Sequence, residues 1–92
     1  MQNHISFSPH ISVIITNKNA LRWLSKCLTS LKLQSYRNFE VILVDNNSSD
    51  KSIRLVESKF PWVKIVRNKR DEGYAEANNI GSQRARGEYL LL

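Results

Sequence analysis

Six small polar residues, Asp45-Asn46-Asn47-Ser48-Ser49-Asp50, follow the apolar run Val41-Ile42-Leu43-Val44 without a break. A second cluster, Thr16-Asn17-Lys18-Asn19, follows Ile11-Ser12-Val13-Ile14-Ile15 in the same way. Carboxylates accept hydrogen bonds, carboxamides accept and donate, and hydroxyls do either. At this density such groups can pair with the edge of a pyrimidine or hold ribose hydroxyls, and their small size leaves room for the ligand. The same residue types form turns and cap helices, and either cluster taken singly fits turn chemistry. Their shared position after an apolar run, with a third polar pair at Arg67-Asn68, points to a binding edge.

Four apolar runs, over 11–15, 39–44, 62–66 and 89–92, read as strands. Near-continuous apolar strands belong to a parallel sheet covered on both faces. The gaps between them read as helices. Leu21, Leu24, Leu28 and Leu31 form one helical stripe, which Asn17 or Asn19 can cap. Ser48-Ser49-Asp50 offers a cap and a first-turn acid to the second helix, whose buried face is Ile53, Val56 and Phe60 and whose end is Pro61. The third runs over 74–86, with Gly87 at the C-terminal glycine position. Gly81 within it costs about 1 kcal/mol against alanine, which predicts close backbone packing there. The order β-α-β-α-β-α-β is that of a Rossmann-like, three-layer parallel α/β unit over 11–92, preceded by a lead-in arm over 1–10. In such sheets ligands bind beyond the carboxyl ends of the strands. If the first two strands are neighbours, both polar clusters share one edge.

The totals exclude several classes. A 92-residue chain that is 41% hydrophobic and 24% charged fits one folded unit rather than a disordered segment. The single cysteine, Cys27, gives neither a disulfide framework nor a cysteine metal cluster and reads as near-core packing. No apolar run approaches the ~20 residues needed to cross a bilayer, and the first ten residues lack the pattern of a secretory signal. His4 and His10 have no ligand-spaced partners and read as solvated side chains. Trp23 and Trp62 read as packing anchors, and Arg84, Arg86, Lys26 and Lys32 as solvated helix faces. The dinucleotide fingerprint and the phosphate-loop pattern are both absent, as is any Ser/His/Asp set or zinc spacing. The net charge of +6 favours an anionic partner. The basic residues are spread out apart from Arg67-Asn68-Lys69-Arg70, so no nucleic acid is expected; a nucleic-acid-binding domain would bind with a steep salt dependence. Gly73 lets backbone approach a ligand, and the helix start after it offers N–H groups to a phosphate.

The segments ISVIITNKN, LxxCLxSLxxQSYRNFEVILVDNNSSDxS and VRNKRDEGYAEANNIGSQRARGEYLLL agree in order and spacing with one family. Over Ile11 to Leu92 the chain resembles the amino-terminal part of family 2 glycosyltransferases of GT-A fold, in the rhamnosyltransferase-like branch. The resemblance implies a nucleotide-diphosphate sugar donor (UDP-, dTDP- or GDP-linked), a divalent metal (Mg or Mn) in the complete enzyme, and inverting transfer to a hydroxyl of an acceptor glycan or glycolipid. It implies a cytoplasmic location, with peripheral membrane contact as a further expectation. Thr16, Asn17 and Asn19 match the end of the first strand, where the family approaches base and ribose. Asp45 and Asn46 match the pair that holds the base, with Ser48 beside them; Gly73, Asn78 and Asn79 match the segment that passes the nucleotide and diphosphate. Lys18 stands where an aromatic is usual, and Asp71 where an Asn is common. The family's D-x-D-type acids and its catalytic base are expected beyond Leu92, so these residues are expected to form the donor-nucleotide part and to lack transferase activity alone. The alternative is a non-catalytic nucleotide- or partner-binding module derived from the same fold.

Overall fold

The computed structural model describes residues 9–92. Most of the expected lead-in arm, His4 included, lies outside the described residues. The elements are β1 (Ile11–Asn17), α1 (Leu21–Lys32), β2 (Phe39–Asp45), α2 (Ser52–Lys59), β3 (Lys64–Arg67), α3 (Tyr74–Arg84) and β4 (Tyr89–Leu91). All pairings are parallel, in the order β3-β2-β1-β4. β1 and β2 are central neighbours in full register, from Ile11 opposite Phe39 to Asn17 opposite Asp45. Both strands run past their apolar runs, so Asn17 and Asp45 belong to the sheet rather than to the loops after it.

Strand side chains alternate between faces, and the core divides accordingly. Val13, Ile15, Val41 and Leu43 pack with Leu24 and Leu28 of α1 and with Ile53, Val56 and Phe60. Ile14, Ile42 and Val44 pack with Ala77 of α3. Helices therefore cover both faces, α1 and α2 on one and α3 on the other. Gly81 shows why α3 lies so close: a Cβ there would run into Ile14 Cγ2 and sit 3.1 Å from Val44 Cγ2.

Several local expectations are corrected. α2 begins at Ser52 with no acid in its first turn, because Asp50 stays outside the helix and receives the Ser52 N–H at 3.0 Å. α3 ends at Arg84, and Ala85 is already extended, so Gly87 is not its capping glycine. Gly87 is required by the neighbouring strand, since a Cβ there would lie 2.6 Å from Ser12 N and 2.8 Å from Ile11 C. Trp23 is 57% exposed and anchors nothing, whereas Trp62, 40% exposed, meets Phe60 edge-on with ring centroids 6.2 Å apart. His10 is not simply solvated: its Nδ1 lies 3.0 Å from Glu88 Oε1 and its ring meets Tyr89 edge-on.

A buried carboxylate joins the amino-terminal ends of the strands. Glu40, 5% exposed, accepts from Ser12 Oγ (2.6 Å), Lys64 Nζ (2.7 Å) and the Arg86 N–H (2.7 Å). Gly87 N–H donates to Ser12 Oγ at 2.7 Å, so the approach to β4 hangs on the same network. Burial pushes the Glu40 carboxyl up, but the bonds from Lys64, Ser12 and Arg86 outweigh it and its pKa falls below the ordinary glutamate value. A depressed folded pKa contributes stability that is present above the unfolded value and is lost on acidification. Thermal melts should therefore drop as pH falls below about 4.3, the unperturbed glutamate value. Glu40→Gln should cost about 2 kcal/mol at neutral pH and flatten that acid limb.

Candidate functional site

The carboxyl ends of β1 and β2 do meet. Asn17, 2% exposed, donates through Nδ2 to Asp45 Oδ1 at 2.8 Å and to Ser48 Oγ at 3.1 Å. Asp45, 1% exposed, receives the Ser48 N–H on Oδ2 at 2.9 Å and the Ser48 hydroxyl on Oδ1 at 2.7 Å. Both of its oxygens thus serve the protein. A carboxylate buried in this way must find its donors nearby, because an unpaired one carries a large desolvation cost. Asp45 is the clasp between the two strand ends.

The loops after β1 and β2 brace each other at the starts of the two helices that follow them. Asn19, with a left-handed φ of 53°, receives the N–H groups of Ser49 (2.7 Å) and Asp50 (3.0 Å) on Oδ1 ahead of α2. Asp50 returns the favour through Oδ2, which accepts the Leu21 N–H at 3.3 Å at the start of α1. Its Oδ1 takes both the hydroxyl and the N–H of Ser52. Burial raises the Asp50 pKa, but the Ser52 hydroxyl and N–H and the Leu21 N–H lower it more, leaving it below the usual carboxylate value. Asn17 Oδ1 accepts the Ala20 N–H at 3.2 Å, and Lys18 Nζ reaches the Asn47 carbonyl at 2.9 Å. The lysine that replaces the expected aromatic is therefore a strap between the loops.

Asn46 acts in the other direction. It is 4% exposed, and its Oδ1 accepts from Asn68 Nδ2 (2.8 Å) and Glu72 N–H (3.3 Å), while its Nδ2 donates to the Gly73 carbonyl at 3.2 Å. The Asn68 N–H also donates to the Asp45 carbonyl at 2.8 Å. One carboxamide thus draws the 68–73 loop against the end of β2. Gly73 has φ 83°, a conformation that favours glycine, and the space beside its Cα is open. Asp71 Oδ1 accepts the Gly73 N–H at 2.8 Å, and no side chain caps α3 itself. α3 starts at this edge with free N–H groups, an arrangement that favours an anion.

Of the nine candidate residues, Asn17, Asn19, Asp45 and Ser48 form one hydrogen-bonded cluster, and Asn46 is bonded to Gly73. Thr16 and Asn78 line a shared groove on the other side of β1. Asn79 is exposed and makes none of these contacts. Sequence reasoning misses Asn68 as the partner of Asn46, and it misses Glu40, a buried acid inside the apolar run 39–44. An acid inside a buried strand was the available signal. For metal, no group of three or more His, Cys, Asp or Glu side chains converges among the described residues. The oxygens of Asp45 and Asp50 are engaged in the internal bonds above. No described helix is long and apolar enough to cross a membrane.

The parallel α/β sheet, with its polar strand ends on one edge, is the fold of the GT-A glycosyltransferases on which the chain superposes. Glycosyl transferase family 2 matches residues 12–92, and the chain belongs to that family. An uncharacterized glycosyltransferase of Haemophilus influenzae is 39% identical over 87 residues, 91% of this chain and 35% of that protein. Staphylococcus aureus TarS in complex with UDP-GlcNAc superposes with TM-score 0.82 and 28% identity, over 88% of this chain and 25% of that one. The mannosyltransferase PcManGT of Pyrobaculum calidifontis, in complex with GDP-Man and Mn2+, superposes with TM-score 0.78 and 25% identity, over 92% and 27%. The chain thus spans about a third of the length of that curated relative.

Proposed function

We propose that this chain holds the nucleoside diphosphate part of a nucleotide-sugar donor for inverting transfer to an acceptor hydroxyl. The acceptor class is a glycan or glycolipid of cell-surface polysaccharide or glycoconjugate synthesis, made on the cytoplasmic side with a peripheral membrane contact. The observation that carries this reading is the clasp of Asn17, Asp45 and Ser48, with Asn46 drawing the 68–73 loop over the same edge. The clasp fixes two loops and a glycine-led helix start around one opening. A site held this rigidly binds without having to order itself first. The UDP-GlcNAc and GDP-Man complexes of the two structural neighbours support that class of ligand.

In this reading Asn17, Asn19, Asp45, Asn46 and Ser48 position the opening. Contacts to the ligand fall to Thr16, the 68–73 backbone, Gly73 and the start of α3, with Asn79 near the diphosphate. In the complete enzyme a divalent metal, Mg or Mn, would supply charge stabilisation to the departing diphosphate. With the oxygens of Asp45 and Asp50 engaged in internal bonds, the 92-residue chain alone should turn over no donor. The commitment of Asp45 and Asp50 to internal bonds also favours the second reading, a nucleotide-binding module without chemistry. Calorimetric titration with UDP, dTDP and GDP tests the shared part. Saturable binding of one of them, little changed by salt, is expected. Failure of all three, or affinity that collapses with salt as nucleic-acid binders show, would overturn it.

A further inference from the structure

The positive charge of the chain is divided unevenly between the two ends of its strands. Each helix runs back from the nucleotide edge, so the segments that end one helix and start the next strand, 32–40, 59–64 and 84–88, share the opposite edge. These segments hold Lys32, Arg37, Lys59, Lys64, Arg84 and Arg86 against only Glu40 and Glu88. The segments of the nucleotide edge, 17–21, 45–52 and 67–74, hold five cations against Asp45, Asp50, Asp71 and Glu72. Four of the six net charges therefore belong to the opposite edge and one to the nucleotide edge. Both acids of the basic edge are engaged, Glu40 with Lys64 and Glu88 with His10. Among the described residues, neither Lys32 nor Lys59 has a carboxylate partner.

The same edge carries exposed apolar side chains. A cleft of about 520 Å³ is lined by Leu31, Leu33, Phe39 and Trp62 together with Lys32 and Arg37, and no residue of β4 or of the nucleotide edge borders it. Leu33 is 77% exposed and Trp62 40%. Protein interfaces are depleted in lysine, and a nucleic-acid backbone gives a protruding leucine nothing to bury against. A bilayer surface suits the combination: tryptophan settles at headgroup level, leucine enters the acyl boundary, and lysine and arginine meet anionic lipid. We propose that this edge docks on an anionic phospholipid bilayer, with Leu33 and Trp62 entering the headgroup layer and Lys32, Arg37 and Lys59 on lipid phosphates. The inference rests on the membrane contact proposed above and gives it a surface. β1 is seven residues long, so the nucleotide edge faces away from the lipid and stands about 20 Å from it.

Sedimentation with vesicles of mixed phosphatidylcholine and phosphatidylglycerol, compared with phosphatidylcholine alone, tests the proposal. The chain is expected to bind the anionic vesicles, less tightly as salt rises, and the neutral ones hardly at all. Lys32→Gln combined with Lys59→Gln should weaken binding about tenfold. Arg22→Gln combined with Arg54→Gln, an equal loss of charge nearer the other ends of the same helices, should weaken it far less. All four side chains are exposed, and matching melts check that both double variants fold. Trp62 emission, read in Trp23→Phe, should shift to the blue on binding, and Trp23 emission, read in Trp62→Phe, should stay in place. Equal losses for the two pairs, or a shift of Trp23 without one of Trp62, would overturn this surface and leave membrane contact by another face standing. Binding to neither vesicle would overturn both. Nucleotide titration reads the other edge, so the nucleotide reading survives either failure.

Discussion

Asp45→Ala is expected to destabilise the chain by about 3 kcal/mol, a large share of the 5–15 kcal/mol typical of a whole domain. The substitution removes the acceptor of Asn17 Nδ2 and of both the N–H and the hydroxyl of Ser48. Ser48 is half-exposed and can turn to water, but the Asn17 amide is buried and keeps an orphaned donor. Charge-assisted bonds of this kind contribute about 1.5–3 kcal/mol each when the partner cannot be rehydrated. For a domain of this size that predicts a fall in Tm on the order of 15 °C. Asp45→Asn should fall between the unsubstituted chain and Asp45→Ala, because one acceptor oxygen is kept while the other becomes a donor that faces donors. Thr16→Ala, which removes no bond of the clasp, should leave the melt nearly unchanged. Equal melts for Asp45→Ala and Thr16→Ala would show that the clasp contributes little.

Gly87→Ala is the second large effect, and it should be local. The new methyl would meet the Ser12 backbone nitrogen and hydroxyl, each 2.6 Å away, and neither can move without disturbing β1. Relief requires residues 86–88 to withdraw, which breaks the Gly87 N–H bond to Ser12 and the Arg86 N–H bond to Glu40. Overpacking costs about 1–3 kcal/mol, and the two bonds add about 1 kcal/mol each. Withdrawal should strip β4 from the sheet while β1, β2 and β3 stay paired. Amide exchange checks this: protection should vanish around Tyr89 to Leu91 and persist at Val41 to Val44. Gly81→Ala is the milder contrast. Its methyl meets the Ile14 side chain, and a gain in helix propensity of about 1 kcal/mol offsets part of the clash. Global unfolding by Gly87→Ala and none by Gly81→Ala would require β4 to be integral to the core.

The parallel sheet, the helices on both faces and the close approach at Gly81 were legible because apolar runs and helical stripes are set by burial. Gly87 was legible as a constrained position but not for the right reason, since its neighbour is Ser12, 75 residues earlier along the chain. The polar clusters were legible as a shared edge, yet their division of labour was not. Asp45 looks like a ligand-binding acid from its position after Val44, and only the pairing with Asn17 and Ser48 shows its oxygens already taken. Asn19 holds the Ser49 and Asp50 N–H groups ahead of α2 while Asp50 takes the first N–H of α1, a reciprocity that local capping rules cannot reveal because they search within one loop. Trp23 failed as an anchor because its helical position lies off the Leu24–Leu28 stripe, on the open side of β1.

The central claim is that one edge of the sheet, built by the ends of β1 and β2 and the loop held by Asn46, is where a nucleoside diphosphate sits. Backbone amide shifts recorded while UDP or GDP is added test it most directly. The account predicts saturable changes at Thr16, at Asn46 to Ser48, at Asn68 to Gly73 and in the first turn of α3, with Trp62 and the β3 edge unmoved. Changes spread over the exposed lysines and arginines and erased by salt, or none at the strand ends, would contradict it.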